Sequence, residues 1–437
     1  MGKLENQAIG TMRFISFIQK NMQQPVTKNI GWQAVFSFFR MAFSLISAML
    51  LTRHMGLEMY GQYSFILAVT GMLSVLIYGG TANVSVRYFK EEPEHKDQIL
   101  CSVIAWRYIC WIITSVFIFP AFLIADGARY DLILVIFLSF LFNPFDALDS
   151  YFQSQYENKY YIITRISVEL IALSIKVFFI FADYDLHYFI YLIAAQNVFY
   201  ALLILCVYRI TNNKPIRVNF SKPLFVKIVR SSLPMILTTF LFVFYMRIDQ
   251  VMISYLIGDK ALGYFAPSTQ IVMALTALGV IFTYPMQVKF KDIGLDHPEY
   301  EKWMGRYISS AFKISCLCAL LVSSTAWFFI PILFGEDFSE TASVLAIQVW
   351  SCVFSLQGSI RDLESVSHLD TKYNLICAVF GVLSNIILNL VLIPLYGIHG
   401  AAIATILSLF VSGHLVNWFV KDLRIYAVLQ RKAFFFS

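Results

Sequence analysis

Apolar runs of about 20 residues recur along this sequence from residue 30 to residue 420, separated by short polar segments. A helix needs about 20 apolar residues to cross the hydrocarbon core of a bilayer, and it satisfies its backbone hydrogen bonds internally. Charged residues make up only 14% of the 437 residues, whereas a soluble domain has about a quarter. The sequence therefore predicts an all-α polytopic membrane protein.

Twelve predicted transmembrane helices account for these runs, and the longest polar connection divides them into two sets of six. We expect an N-terminal six-helix bundle over residues 30–208, a basic cytoplasmic linker over 209–231 and a C-terminal six-helix bundle over 232–420. The predicted helices cover residues 30–51, 62–85, 99–124, 131–149, 160–181, 187–208, 232–256, 262–286, 306–330, 342–365, 373–394 and 400–420.

Lysine and arginine residues are concentrated on one side of the predicted spans. Basic loops remain in the cytoplasm, so both termini are predicted to be cytoplasmic. Residues 1–29 are then a cytoplasmic segment with a short interfacial helix over Met12–Met22, and residues 421–437 are a cytoplasmic tail. Because the net charge of +6 comes from these loops, we do not expect the protein to bind nucleic acid.

The two halves carry similar motifs at equivalent places. Gly56–Tyr63 joins the first two predicted helices and Gly258–Phe265 joins the seventh and eighth, and both read G-x4-G-x-aromatic. Asp149 and Asp362 each precede a Lys-Tyr pair by the same interval. Each half has an even number of helices, so a duplication predicts parallel repeats related by a pseudo-two-fold axis along the membrane normal, with a substrate path between the halves.

Charged residues inside the predicted spans are mostly cationic. A charge at the bilayer centre costs about 2.5–3.5 kcal/mol, so such residues should face protein or a water-filled cavity. The few carboxylates there include Glu169 and Asp249, which are candidates for ion coupling. An excess of fixed cations suits an anionic substrate, a phosphate above all. The candidate substrate-binding cations are Arg40, Arg107, Lys176, Arg247 and Lys313.

Helical spacing makes these expectations more specific. Gln33 and Arg40 lie in one polar stripe on the first predicted helix. Arg165 and Glu169 are one helical turn apart and can pair, which would leave Lys176 as the free charge of that helix.

A structural role stays open for several of these cations. Arg40 or Arg247 could cap carbonyl groups between packed helices, and Arg107 and Lys313 lie near enough to the cytoplasmic face to snorkel. Asp249 points about 200° away from Arg247 around the same helix, so the two serve different faces.

The sequence gives no support for an enzyme or an ATP-driven pump. It has no G-x4-G-K-[ST] loop and no soluble domain to hold one. The seven cysteines lie in or beside apolar runs, where cysteine is a small buried residue, and no cluster has metal-ligand spacing. We therefore expect no cofactor, no metal and no enzymatic activity.

Three segments point to one family. Asn385–Thr405 reads N-x3-N-x4-P-x2-G-x2-G-A-A-x-A-T, which resembles a segment of the Wzx-type polysaccharide flippases of the MATE/oligosaccharidyl-lipid/polysaccharide (MOP) exporter superfamily. Arg247–Tyr264 is similar to the start of the second half in that family, and Arg53–Tyr63 to its first hairpin. The similarity extends over essentially the whole chain.

The resemblance implies two six-helix bundles arranged as a V that opens alternately to each side of a bacterial inner membrane. The implied substrate is an oligosaccharide repeat unit on undecaprenyl pyrophosphate, moved to the periplasmic leaflet for O-antigen, capsule or exopolysaccharide synthesis. Partners would be that lipid, the bilayer, and assembly proteins such as a polymerase and a chain-length regulator. Arg40 and Arg247 would then engage the pyrophosphate, and Gln33, Asn385 and Asn389 the sugars.

Two other functions agree less well with the sequence. A multidrug or cation antiporter of the same superfamily would need membrane carboxylates, yet the first predicted span carries Arg40 and no Asp or Glu. A polysaccharide polymerase or ligase usually has a large external loop, which this sequence lacks.

Overall fold

The computed structural model describes residues 25–124, 127–212, 218–291, 299–368 and 372–434. The predicted interfacial helix Met12–Met22 lies outside these residues. The described residues form α-helices with short 3₁₀ and π segments and no strand. The α-helices are α1 (Pro25–Tyr78), α2 (Thr81–Glu91), α3 (Lys96–Ile124), α4 (Ala128–Ser139), α5 (Ala147–Ser154), α6 (Asn158–Phe181), α7 (Leu186–Asn212), α8 (Lys222–Ile257), α9 (Asp259–Lys291), α10 (Tyr300–Phe334), α11 (Glu340–Gln348), α12 (Ser351–His368), α13 (Lys372–Phe410), α14 (Val416–Phe419) and α15 (Arg424–Phe434).

The polytopic membrane architecture is confirmed, whereas the count of twelve crossings stays a prediction. Nine helical segments of the described residues are long and apolar enough to cross a membrane. Two of them, Gly31–Glu91 and Lys372–Phe419, have 61 and 48 residues, far more than the roughly 20 that one crossing needs. α6 is outside the nine because it carries Arg165, Glu169 and Lys176.

Glycines in the left-handed region bend the longest helices. α1 bends at Gly56 (φ 67°) and α13 at Gly397 (φ 59°), while Gly258 (φ 102°) separates α8 from α9. These backbone angles suit glycine, which has no Cβ to clash with the neighbouring carbonyl. Each bend turns the chain back, so one apolar stretch becomes two antiparallel helices.

The two G-x4-G motifs pack against each other reciprocally. A Cβ on Gly61 would overlap the carbonyl oxygen of Asp259, and a Cβ on Gly263 would overlap the carbonyl oxygen of Leu57. Leu57 follows Gly56 in the first motif as Asp259 follows Gly258 in the second, so the two contacts exchange equivalent residues. Such exchange is the signature of a two-fold interface. The reciprocal contact agrees with the internal duplication predicted from the sequence.

The halves are joined at the end of the molecule that holds these motifs. There the ring of Tyr60 lies 6.0 Å from that of Phe338, and Arg129 Nη1 lies 3.5 Å from Asp259 Oδ1. Gln270 Nε2 donates to the hydroxyl of Tyr60 at 3.4 Å.

At the opposite end, the hydrogen bonds and ion pairs between the halves that the described residues show all involve α8. Lys227 Nζ lies 2.7 Å from Glu92 Oε1, and the hydroxyls of Tyr88 and Ser231 are 3.0 Å apart. α8 therefore belongs to the second half by sequence but docks its first turns on the first half. The two bundles form the V expected of this architecture.

Candidate functional site

A cavity of 630 Å³ lies inside the N-terminal bundle. We call it the chamber. It is lined by residues from α1, α2, α3, α5, α6 and α7 and by the 3₁₀ segment Phe140–Asp146. The sequence predicted a substrate path between the halves, but the lining of the chamber comes from one half alone. Its lining residues are Gln33, Phe36, Phe39, Arg40, Phe43, Tyr78, Ala82, Asn83, Arg107, Asn143, Asp146, Asp149, Ser150, Gln153, Tyr161, Arg165, Ile166, Val168, Glu169, Ile193, Gln196, Asn197 and Tyr200.

Arg165 forms an ionic cluster on the chamber wall. Its Nη2 lies 3.1 Å from Asp146 Oδ2 and 2.6 Å from Asp149 Oδ2, and its Nε donates to Asp149 at 3.0 Å. The predicted pair between Arg165 and Glu169 is therefore wrong. A pair within one helix gains only about 0.2–0.5 kcal/mol, whereas charge-assisted bonds from α6 to both aspartates are roughly twice as strong as neutral ones.

Two tyrosines complete this cluster. The hydroxyl of Tyr78 on α1 donates to Asp146 Oδ2 at 3.0 Å, and the hydroxyl of Tyr200 on α7 donates to Asp149 Oδ1. The guanidinium of Arg165 lies 4.1 Å from the centre of the Tyr200 ring. Three helices, α1, α6 and α7, thus converge on two carboxylates, and Arg165 is paired with both.

Arg107 is buried, with 2% of its surface exposed. Its Nε donates to Thr81 Oγ1 at 2.8 Å and its Nη1 to the carbonyl of Asn143 at 3.4 Å. Its guanidinium lies 5.3 Å from the centre of the Tyr78 ring. Arg107 does not snorkel. It holds α2, α3 and the 3₁₀ segment together beneath the chamber.

Arg40 is the exposed arginine of the chamber, and its guanidinium lies 5.8 Å from the centre of the Phe36 ring. Gln33 Oε1, about two turns earlier on α1, accepts from the hydroxyl of Tyr161 at 2.6 Å. Glu169 Oε2 accepts from Gln196 Nε2 at 3.4 Å. The chamber thus brings together four of the ten residues predicted to bind substrate or couple an ion: Gln33, Arg40, Arg107 and Glu169.

Lys176 lies outside the chamber lining. It is buried on α6 and donates to Ser47 Oγ at 3.0 Å. Its partner is a neutral hydroxyl and it forms no ion pair within the described residues, so the expectation that it is the free charge of its helix stays a prediction.

Asn385 and Asn389 also lie outside the chamber, in a second buried group that we call the Asp249 cluster. It consists of Asp249, Asn385, Asn389 and Thr405, contributed by α8 and by both arms of α13. Asp249 accepts from Asn389 Nδ2 and from Thr405 Oγ1, each at 2.6 Å. Asn389 Nδ2 also lies 3.0 Å from Asn385 Oδ1. Sequence spacing put Asn385 and Asn389 on one helix face, but their carboxylate partner was visible only in the fold.

Arg247 lies between the halves. Its Nη1 donates to Gln250 Oε1 at 3.3 Å, and its Nε is 4.0 Å from where a Cβ on Gly71 of α1 would be. It faces away from Asp249, as the helical spacing predicted. Lys313 is exposed on α10 and outside the chamber.

This helical architecture and its polar chamber define a polytopic membrane protein with a transporter fold. Residues 26–290 match the model of the family described as polysaccharide biosynthesis protein, and the chain belongs to that family. None of the curated proteins matches the sequence.

Solved structures share the fold at low identity. A lipid II flippase MurJ in an inward closed conformation superposes with a TM-score of 0.74 at 15% identity, covering 92% of this chain and 90% of that one. An inward-facing multidrug resistance MATE family transporter of the MOP superfamily superposes with a TM-score of 0.64 at 15% identity, covering 89% of this chain and 95% of that one. A MATE in the bent conformation superposes with a TM-score of 0.56 at 14% identity, covering 95% of this chain and 98% of that one. These similarities confirm the predicted fold.

Proposed function

We propose that this protein flips an undecaprenyl-pyrophosphate-linked oligosaccharide from the cytoplasmic to the periplasmic leaflet of a bacterial inner membrane. The observation that carries the proposal is a polar chamber, with the exposed Arg40 on its wall, in a chain of the polysaccharide biosynthesis family. A guanidinium can bind a phosphate with two parallel hydrogen bonds, and the polar wall suits sugars.

Alternating access would require the two bundles to separate at the end that holds the two G-x4-G motifs. The described form is joined there through Gly61, Gly263 and the Arg129–Asp259 pair. Arg247, which lies between the halves, would meet the pyrophosphate as the lipid passes. A rigid-body rocking of the bundles would then expose Arg40 and Arg247 to each leaflet in turn.

The Asp249 cluster is the better candidate for ion coupling. Asp249 is buried with only neutral hydrogen-bond donors around it. The Oδ1 atom of Asn389 is buried without a hydrogen-bond partner among the described residues. A carboxylate in an apolar bundle favours a bound cation or a proton. Glu169 in the chamber is the second candidate.

A strain lacking the gene tests the proposal directly. Lipid-linked oligosaccharide should accumulate on the inner leaflet and surface polysaccharide should disappear, as shown by mass spectrometry of the lipid fraction and by polysaccharide staining. Arg40→Ala and Arg247→Ala should each fail to restore surface polysaccharide, while Lys313→Ala, outside the chamber, should restore it at matched protein level. Full restoration by both arginine variants would remove Arg40 and Arg247 from the site.

A multidrug or cation antiporter is the second candidate, because three carboxylates line the chamber and MATE transporters share the fold. Dye uptake into everted vesicles distinguishes the two functions. A flippase should give no gradient-driven uptake of a cationic dye above the level of empty vesicles.

A further inference from the structure

The charges that line the chamber balance. It has three guanidinium groups and three carboxylates, namely Arg40, Arg107 and Arg165 against Asp146, Asp149 and Glu169. The excess of cations expected from the sequence is therefore absent from this cavity. A wall with zero net charge has no general attraction for a pyrophosphate, which carries several negative charges.

Two of the three arginines are already engaged. Arg165 is paired with two aspartates, and Arg107 donates to Thr81 and to the carbonyl of Asn143. Removing these bonds to bind a phosphate would leave buried partners unsatisfied, which costs about 1–3 kcal/mol for each group. Arg40, exposed and stacked on Phe36, has no hydrogen bond or ion pair with another described residue. The interior of the chamber is therefore poorly suited to the pyrophosphate.

Carboxamides and aromatic rings make up most of the remaining wall. A carboxamide offers both a donor and an acceptor, as a sugar hydroxyl does, and an aromatic face packs against the apolar C–H face of a pyranose ring. The volume of 630 Å³ is within the range of about 300–1,000 Å³ typical of ligand pockets. The carboxamides are Gln33, Asn83, Asn143, Gln153, Gln196 and Asn197, and the rings are Phe36, Phe39, Phe43, Tyr78, Tyr161 and Tyr200.

Asn83 and Gln153 differ from the other carboxamides. Both are exposed, and neither side chain makes a hydrogen bond to another residue in the described part of the chain. They lie on α2 and α5, which touch where Ser150 Oγ donates to the carbonyl of Ala82 at 3.3 Å. The side-chain amides of Asn83 and Gln153 thus lie on either side of the contact between α2 and α5. There they can form hydrogen bonds with a ligand in the chamber.

We propose that the chamber binds the glycan of the substrate as a site for uncharged sugars, with Asn83 and Gln153 as specificity-determining residues. Arg40 would bind the pyrophosphate. The inference rests on the proposed function and deepens it, because it assigns the sugars to one half of the molecule. Asn385 and Asn389, which the sequence suggested as sugar contacts, belong to the separate Asp249 cluster.

The test uses the full-length protein in nanodiscs and two probes. One probe is inorganic pyrophosphate. The other is the oligosaccharide released by mild acid from the lipid fraction of the strain lacking the gene. Binding is measured by calorimetry for the wild type, for the chamber variants Asn83→Ala and Gln153→Ala, and for Arg40→Ala. Asn219→Ala, an exposed amide in the segment before α8, is the matched control.

We expect each chamber variant to weaken oligosaccharide binding about tenfold, the loss of one hydrogen bond of roughly 1.4 kcal/mol, and to leave pyrophosphate binding unchanged. Arg40→Ala should weaken pyrophosphate binding, and Asn219→Ala should change neither. If Asn83→Ala, Gln153→Ala and the double variant all bound the oligosaccharide as tightly as the wild type, the assignment of the glycan to the chamber would be overturned. The proposed function would be unaffected by that result. A strain that accumulates no lipid-linked oligosaccharide would overturn the proposed function and this inference together.

Discussion

At the scale of residues, Arg165 shows how a charge is tolerated inside this bundle. Its guanidinium contacts two carboxylates, and a tyrosine hydroxyl donates to each of them as well. A buried ion pair is worth little compared with apolar packing, but removing one partner is costly because the other charge is left unpaired. We therefore assign Arg165 a structural role in shaping the chamber wall.

Arg165→Ala should lower the free energy of unfolding by roughly 2–3 kcal/mol, somewhat less than for a fully buried pair because the arginine is partly exposed. Asp149→Asn in the Arg165→Ala background should recover part of this loss, since it removes one of the two stranded charges. Thermal unfolding of the purified protein in detergent measures both changes. If the double variant were less stable than Arg165→Ala, stranded charge could not be the cause.

At the scale of elements, the paired hairpins explain why the glycines of the G-x4-G motif matter. Gly56 and Gly258 provide the backbone bend, whereas Gly61 and Gly263 allow each motif to approach the carbonyl of the other. The first requirement is a local one that a sequence pattern can predict. The close approach of Gly61 and Gly263 to a carbonyl depends on the other half of the chain, so only the packed structure shows it.

Gly61→Ala should destabilise the described form, because the added methyl overlaps a backbone carbonyl that cannot move aside. Overpacking of this kind costs about 1–3 kcal/mol. We expect a lower unfolding temperature and reduced surface polysaccharide. Gly31→Ala is the matched control, since a Cβ there meets nothing within 4 Å. Equal stability of Gly61→Ala and Gly31→Ala would contradict the reciprocal contact.

At the scale of the whole molecule, the two polar groups lie in different halves. The chamber belongs to the N-terminal bundle and the Asp249 cluster to α8 and α13. α8 docks on the first half at one end and contributes Asp249 to the second half further along. A cation that binds Asp249 could therefore bias the arrangement of the bundles, and so the access of lipid to the chamber, without touching the substrate.

Asp249→Asn should preserve the packing of the cluster and remove its charge. If Asp249 couples transport to an ion, export of surface polysaccharide should fall about tenfold or more and lose its dependence on the proton or sodium gradient. Pulse labelling of polysaccharide, with the proton gradient collapsed or with sodium replaced by potassium, measures this. Glu169→Gln serves as the comparison. Wild-type gradient dependence in Asp249→Asn, together with its loss in Glu169→Gln, would move the coupling site to the chamber.

The sequence by itself determined the helical membrane class, the position of the bends and the internal repeat. Each of these follows from local properties: the length of apolar runs, the conformational freedom of glycine, and spacing along one chain. It also indicated which charges must be satisfied inside the membrane, since Arg40, Arg107, Arg165 and Asp249 all stand in apolar runs.

Only the tertiary structure decided which partners satisfy these charges. Arg165 pairs with Asp146 and Asp149 on another element instead of with Glu169 on its own helix, and Asp249 is held by Asn389 and Thr405 from the far end of the chain. Hydrogen bonds and ion pairs act over about 3 Å, so they depend on which helix faces pack together. That packing also gave the chamber a balanced charge, because it brings Asp146 and Asp149 to Arg165 and places Glu169 on the same wall.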